Sequence, residues 1–261
     1  MSGYLPIVTF HAVEESASPI AFPPRRFHDL VRMIHARAHV AISLRRAVEH
    51  LAHGAPLPPR TLVLTFDDGY RSVHDEAFPL LRDLGMSATV FLTCGDGDAP
   101  STERLPDCGG REALSWEEIR RMSEAGIEFG GHTRTHPDLT GLEDAELRAE
   151  IAAGAEMIEK ETGERVRSFA YPFGRWDARV RREVMRRYDC ACTDRLSVAR
   201  PGHDRFTLPR VDAYYLRSPG LAGLLFSRWL PFYLGVRNVP RSTRRRLSPP
   251  GKREGDRCAS A

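Results

Sequence analysis

The chain predicts an α/β fold in which a parallel sheet is wrapped by helices, and two observations carry that prediction. Short apolar strands alternate with amphipathic helices over most of the length, the pattern of βα units rather than of separate β and α layers. Chemically distinctive residues (His11, Asp67, Asp68, His132, His136) fall just past the C-terminal ends of these strands. Ligands bind at that edge in parallel α/β folds, and a barrel gathers all such ends around one mouth, so the clustering favours a barrel over a doubly wound layer.

Taken in order, the apolar run Ile7-Val8-Thr9-Phe10 after Pro6 is the first strand, ending at His11. Residues 27–36 and 43–51 read as helices, the second with Ser43 as N-cap. A strand over 62–66 is followed by a helix near 73–84, and a strand over 87–92 by a helix over 116–125. Ser115 opens that helix with Glu118 in capping-box position. A strand at 127–131 leads into His132, and Leu147, Ile151, Ala155 and Ile158 mark one face of a long helix. A strand over 168–171, a helix over 178–187 and a strand over 190–193 complete the series. Cys190 and Cys192 flank Ala191 there and read as small hydrophobes facing one way.

At 261 residues, 41% apolar and 28% charged, the composition is that of a soluble protein with material for a core. The net charge of +3 is too small to imply nucleic acid, and five scattered cysteines argue against a disulfide framework. Cys94 and Cys108 are the one pair that an oxidising setting could join. The N-terminus lacks a basic start and a long apolar run, and no window approaches the roughly 20 apolar residues of a membrane span. A cytoplasmic protein, or one at the inner membrane face, is therefore expected. Residues 1–220 read as the barrel domain, followed by a C-terminal segment over 221–261. That segment begins with an apolar, aromatic stretch to 236 and ends in a Pro/Arg/Ser-rich tail expected to be mostly disordered. Its aromatics and arginines make it a candidate for peripheral contact with an anionic membrane face. A terminal helix packed on the barrel with a solvated tail is the preferred alternative.

The most informative stretch is Thr65-Phe66-Asp67-Asp68-Gly69-Tyr70. Successive strand residues point to opposite sides, so two adjacent acids take different roles unless the backbone turns, and Gly69 supplies that turn. One acid could hold a metal while its neighbour takes a proton; the alternative is a strand-ending turn with helix-capping acids. In His132-Thr133-Arg134-Thr135-His136 the two histidines share one face if the segment is helical. Two imidazoles with one carboxylate form a common catalytic zinc shell with an open position.

These two stretches resemble the first two motifs of the polysaccharide deacetylase family (NodB homology, carbohydrate esterase 4). Phe169-Ala170-Tyr171-Pro172-Phe173-Gly174 is similar to its third motif. The resemblance runs from His11 to about Asp212. It implies a distorted (β/α) barrel of about seven parallel strands and metal-dependent removal of acetyl groups from N-acetylated sugars. It also implies a divalent ion, zinc foremost with Co2+, Ni2+ or Mn2+ as alternatives, held by Asp68, His132 and His136, with Asp67 as general base. Two positions depart from the family pattern. No histidine follows His203, where the family's general acid usually lies, but the His11 strand resembles a branch with a rearranged N-terminal strand that supplies it, so His11 is the candidate acid. Ala170 stands where many members carry the arginine that fixes the base, and Arg210 is the candidate replacement, against the alternative of a surface arginine on a strand. Tyr171, Pro172, Phe173 and Trp176 are the candidate sugar contacts, although core packing explains Tyr171 equally well. The resemblance therefore implies N-deacetylation of N-acetylhexosamine in a glycan, oligosaccharide or lipid-linked glycan precursor. A same-fold hydrolase of another small amide, imide or O-acetyl ester is one alternative. A non-catalytic glycan- or membrane-binding module is the other.

Overall fold

The computed structural model describes residues 4–52, 57–95, 100 and 110–247. Ten strands are present: β1 (Ile7–Phe10), β2 (Ala12–Val13), β3 (Ala21–Phe22), β4 (Val40–Ile42), β5 (Thr61–Phe66), β6 (Thr89–Leu92), β7 (Glu128–Gly131), β8 (Ser168–Ala170), β9 (Cys190–Leu196) and β10 (Leu208–Asp212). Seven of them close a ring in the order β1-β10-β9-β8-β7-β6-β5 and back to β1, every pairing parallel. The expected barrel of about seven parallel strands is therefore the observed architecture. Its distortion has visible sources. β4 pairs with Thr61–Val63 on the edge of β5 whose later residues pair with β6, β7 and β8 share the single pair Gly131–Phe169, and a bulge interrupts β9 and β10. β2 and β3 form a separate two-stranded ribbon.

Period-two alternation sorts the strand side chains into two cores. Ile7, Val63, Phe91, Ala170, Cys190, Cys192 and Leu208 form one buried cluster that fills the barrel interior, so the two β9 cysteines do face one way. Val8, Phe10, Leu64, Phe66, Val90 and Phe129 point outward into a larger cluster with the surrounding helices. Those helices are α1 (Pro24–Ala36), α2 (Leu44–Ala52), α3 (Phe78–Asp83), α4 (Trp116–Glu124), α5 (Asp144–Thr162), α6 (Ala178–Arg187), α7 (Pro219–Ala222) and α8 (Leu230–Leu247). α4 opens with the expected capping box between Ser115 and Glu118.

Two local expectations are corrected. Residues 73–77 form a π turn rather than the start of an α-helix, because the Phe78 N–H bonds back five residues to the Val73 carbonyl. The segment from 237 onward is helical as far as Leu247, not disordered. α8 is tied to the barrel by the buried Leu230 and Leu234, carries Pro in its first turn, and is rich in arginine, a good helix former. Residues 248–261, including Lys252, Arg253 and Arg257, lie outside the described residues, as does Cys108. Cys94 is buried, its Sγ donates to the Gly154 carbonyl at 3.4 Å, and burial pushes its thiol up to about 12. Among the described residues no helix is long and apolar enough to cross a membrane.

Phe10, Phe22, Phe27 and Phe66 pack with ring centroids 5.2–5.8 Å apart, and they anchor the two strands that deliver His11 and Asp67. Phe10→Ala is expected to lower unfolding free energy by about 3–5 kcal/mol, and Phe10→Leu by clearly less, in denaturant titrations followed by circular dichroism.

Candidate active site

All the candidate side chains come from one end of the barrel, where the parallel strands finish. The backbone N–H of Asp67 donates to the Phe10 carbonyl at 2.9 Å, so pairing between β5 and β1 carries one residue past the strand. Asp67 follows Val63 and Thr65 on the inward-facing side. The chain then turns through two left-handed residues, Asp68 at φ +75° and Gly69 at φ +74°. The turn thus begins one residue earlier than the glycine alone suggests, and Asp68 bears the strain. At Gly69 a Cβ would also lie 2.6 Å from Leu92 Cδ2.

Asp67 is held by Arg210 in a two-pronged pair, Nη1 to Oδ1 at 2.6 Å and Nη2 to Oδ2 at 2.7 Å. The guanidinium also donates through Nε to the Thr193 carbonyl at 3.0 Å. Both side chains are only 4% exposed, which rules out a surface arginine. Burial works against the Asp67 charge, but Arg210 outweighs it and holds the carboxyl below the usual carboxylate range. His11 lies at the rim, 29% exposed, with Nε2 4.0 Å from Asp67 Oδ2. Ala170 faces the barrel interior on β8, and the cation it lacks arrives from β10, two strands away.

Asp68 faces the other pair. Its Oδ1 lies 3.4 Å from His132 Nε2 and 3.7 Å from His136 Nε2, and one ligand atom from each of the three residues falls within 4.8 Å of the others. All three side chains are buried, yet Asp68 Oδ1 has no hydrogen-bond partner. His132 Nδ1 lies 2.7 Å from the Ala170 carbonyl, a bond that places the proton on Nδ1 and leaves Nε2 as a lone pair aimed at Asp68. An orphaned carboxylate oxygen facing imidazole lone pairs fits a divalent cation of the zinc type.

The histidine segment is not helical, contrary to the condition under which the two rings were expected to share a face. It is a turn with Thr133 at φ +69° and His136 at φ +60°. Glu150, on α5 and buried, holds it: Oε2 accepts from the Arg134 and Thr135 N–H groups at 3.0 and 2.9 Å, and Oε1 from Thr135 Oγ1 at 2.7 Å. The His136 N–H donates to Thr133 Oγ1 at 2.9 Å. The sequence reading passed over Glu150, and the one available signal was an acid close to the apolar stripe of α5. Of the six non-glycine residues with left-handed φ among the described residues, Asp68, Thr133, His136 and Phe173 are four. Such strain persists only where surrounding structure enforces it.

The third motif divides. Tyr171 is buried, with its hydroxyl donating to the Phe206 carbonyl at 3.1 Å, and Pro172 is buried as well. Both belong to the core, because the chain enters the barrel top at that point. Phe173 and Trp176 remain exposed, and the Phe173 ring packs edge-on to His136 at 4.7 Å. The cluster of His74, Asp75 and Glu118 is also within ligating distance, but both of its carboxylates already face Arg71, at 3.8 and 3.1 Å.

Comparison with known proteins agrees with this geometry. The family model described as polysaccharide deacetylase matches residues 54–191. The chitooligosaccharide deacetylase of Bradyrhizobium sp. (strain ANU 289) is 30% identical over 177 residues, 66% of this chain and 73% of that protein. The poly-beta-1,6-N-acetyl-D-glucosamine N-deacetylase of Escherichia coli (strain K12) is 27% identical over 135 residues, 48% of this chain and only 20% of that protein's length. Among solved structures, IcaB from Ammonifex degensii superposes with a TM-score of 0.73 at 24% identity, over 88% of this chain and 98% of that one, a likeness of fold. With just over half of its length matched by the family model, and both the Asp67-Asp68 and the His132–His136 stretches inside the match, this chain belongs to the polysaccharide deacetylase family.

Proposed function

We propose that this protein is a metal-dependent hydrolase that removes N-acetyl groups from N-acetylhexosamine units of a glycan, oligosaccharide or lipid-linked glycan precursor. The observation that carries the reading is the division of labour between adjacent acids. Asp68 faces His132 and His136 with an unpartnered oxygen, while Asp67 is turned inward and locked to Arg210.

Asp68, His132 and His136 would hold the cation, with zinc the ion best suited to two imidazoles and a carboxylate. When bound there, it supplies Lewis acidity toward water and the acetyl carbonyl. Asp67, kept ionised by Arg210, accepts the proton of the attacking water, and the two-pronged contact fixes which carboxylate edge faces it. His11, 4.0 Å from Asp67 Oδ2 and partly open to solvent, delivers a proton to the departing nitrogen. Phe173 beside His136 supports an apolar wall next to the acetyl group.

Acetate release from chitooligosaccharides, measured with metal content by mass spectrometry, tests these roles. His11→Ala is expected to keep the metal and lose about a hundredfold or more in turnover. His132→Ala is expected to lose the metal itself. Undiminished turnover in the first, or wild-type metal content in the second, removes the corresponding role. Release from O-acetyl esters or unrelated amides in preference to N-acetyl sugars would overturn the substrate class.

Glu150→Ala removes the side-chain acceptor of the Thr135 N–H and Oγ1, while the Arg134 N–H keeps the backbone carbonyl of residue 150 at 3.1 Å, and metal affinity is expected to fall about 10- to 100-fold. Glu150→Gln, which keeps one acceptor oxygen, is expected to recover most of it in competition titrations with a chromophoric chelator. Equal affinity in all three proteins would show that the turn holds itself.

The C-terminal segment supports a peripheral contact with an anionic membrane face. Trp229, Phe232 and Val236 are exposed on or beside α8, which contains no Asp or Glu and follows the cationic Arg228. Phe232→Asp is expected to reduce cosedimentation with phosphatidylserine vesicles, and no difference from wild type would remove this contact.

A further inference from the structure

The geometry points to a sugar-ring subsite on the His11 side of the barrel mouth, built on Tyr214, which receives the ring bonded to the departing nitrogen. This inference rests on the proposed deacetylation. A cleft of about 210 Å³ lies there, lined by His11, Pro19, Ile20, Asp212 and Tyr214. It is smaller than the roughly 300–1,000 Å³ of sites for drug-sized ligands and suits one ring. Its position decides what enters. His11 sits between this cleft and Asp67, so a group lodged in the cleft is attached to the atom that His11 protonates. The acetyl side of the same bond falls toward Asp68, His136 and Phe173.

The cleft is constructed rather than incidental. Tyr214 follows β10 in a short helical turn, with its N–H held by Asp212 Oδ1 at 2.9 Å. Its ring is 50% exposed although the turn is otherwise packed through the buried Ala213 and Leu216. One face of the ring carries the Arg217 guanidinium, 4.6 Å from the centroid, a cation–π contact that orients it. The same guanidinium donates to the carbonyls of Ser18, Pro19 and Ala21, the Pro19 bond at 3.0 Å. Arg217 thus clamps the turn that forms one wall of the cleft to the aromatic that forms the other. An amphipathic ring presented this way suits the apolar C–H face of a pyranose, with Pro19 and Ile20 closing the opposite side. Together with Phe173 across the site, the arrangement places apolar walls on both sides of the scissile bond.

The test uses the full metal-loaded chain with chitotriose and, as a sugar-free acetyl donor, 4-nitrophenyl acetate. Tyr214→Ala is expected to lower kcat/KM for chitotriose about tenfold, mainly through KM, while 4-nitrophenyl acetate turnover stays at the wild-type level. Tyr214→Phe, which keeps the ring, is expected to match wild type on both, and Arg217→Ala to reproduce part of the sugar-specific loss. Parallel losses on both substrates in Tyr214→Ala, or no loss on either, overturn the subsite while leaving the deacetylation standing. A wild type that neither binds chitotriose in calorimetry nor deacetylates it, while cleaving the aryl ester, overturns the sugar reading and the subsite together.

Discussion

The buried ion pair between Asp67 and Arg210 is the constraint on which the rest of the site depends. A carboxylate taken out of water at the top of a barrel needs a partner of matching geometry, because an uncompensated buried charge costs several kcal/mol. Arg210 satisfies both carboxylate oxygens and spends its remaining donors on Thr193 and Thr65, so one guanidinium ties β5, β9 and β10 together inside the ring. That bond fixes the direction of Asp67. With Asp67 committed inward, the left-handed turn at Asp68 swings the second carboxylate toward β7 and its histidines. The separation of roles between neighbouring acids is thus a consequence of one ion pair and one strained residue.

Arg210 also sets a compromise in the chemistry. A guanidinium that holds the carboxylate ionised lowers its affinity for the proton that the proposed reaction asks it to accept. In that proposed reaction Asp67 is an oriented but weak base, and the acidity of the attacking water would have to be raised by other means. This is consistent with the neighbouring donor set, which suits a Lewis-acidic cation. The departure at Ala170 changes none of this logic. A small residue there leaves room in the barrel interior, and the cation enters from β10 rather than β8, with the same target.

Much of this was legible in the sequence because the relevant signals are local. The alternation of strands and helices, the Asp-Asp-Gly turn, the paired histidines and the Ser115–Glu118 capping box each reside within a few consecutive residues. Arg210 was reachable only as a candidate, since 143 positions separate it from Asp67 and spacing carries no information about inward register. Glu150 was not reachable: a glutamate near the apolar stripe of a helix reads as solvated until the turn it supports is seen. The four-residue spacing of His132 and His136 suggested a helix face, whereas the structure reaches the same convergence through a left-handed turn. The tail beyond 237 reads as disordered by composition, yet α8 extends through it to Leu247 from an apolar anchor that lies upstream.

The protonation of the site follows from the same geometry. His132 and His136 have ring centroids 4.8 Å apart and share one carboxylate, so two imidazolium ions there would repel each other. Burial disfavours a proton on either ring. For His132 the neighbouring Asp68 and Asp67 overcome that penalty and raise its affinity, whereas burial and then the His132 charge push His136 down to about 4. A dication among these atoms would give the Asp68 oxygen a partner and would be favoured by the neutral form of both rings. The left-handed residues at Asp68, Thr133 and His136 set the positions of these donors, and Glu150 helps to keep the strained turn in place. The strain thus maintains a set of lone pairs whose mutual approach only a cation makes favourable.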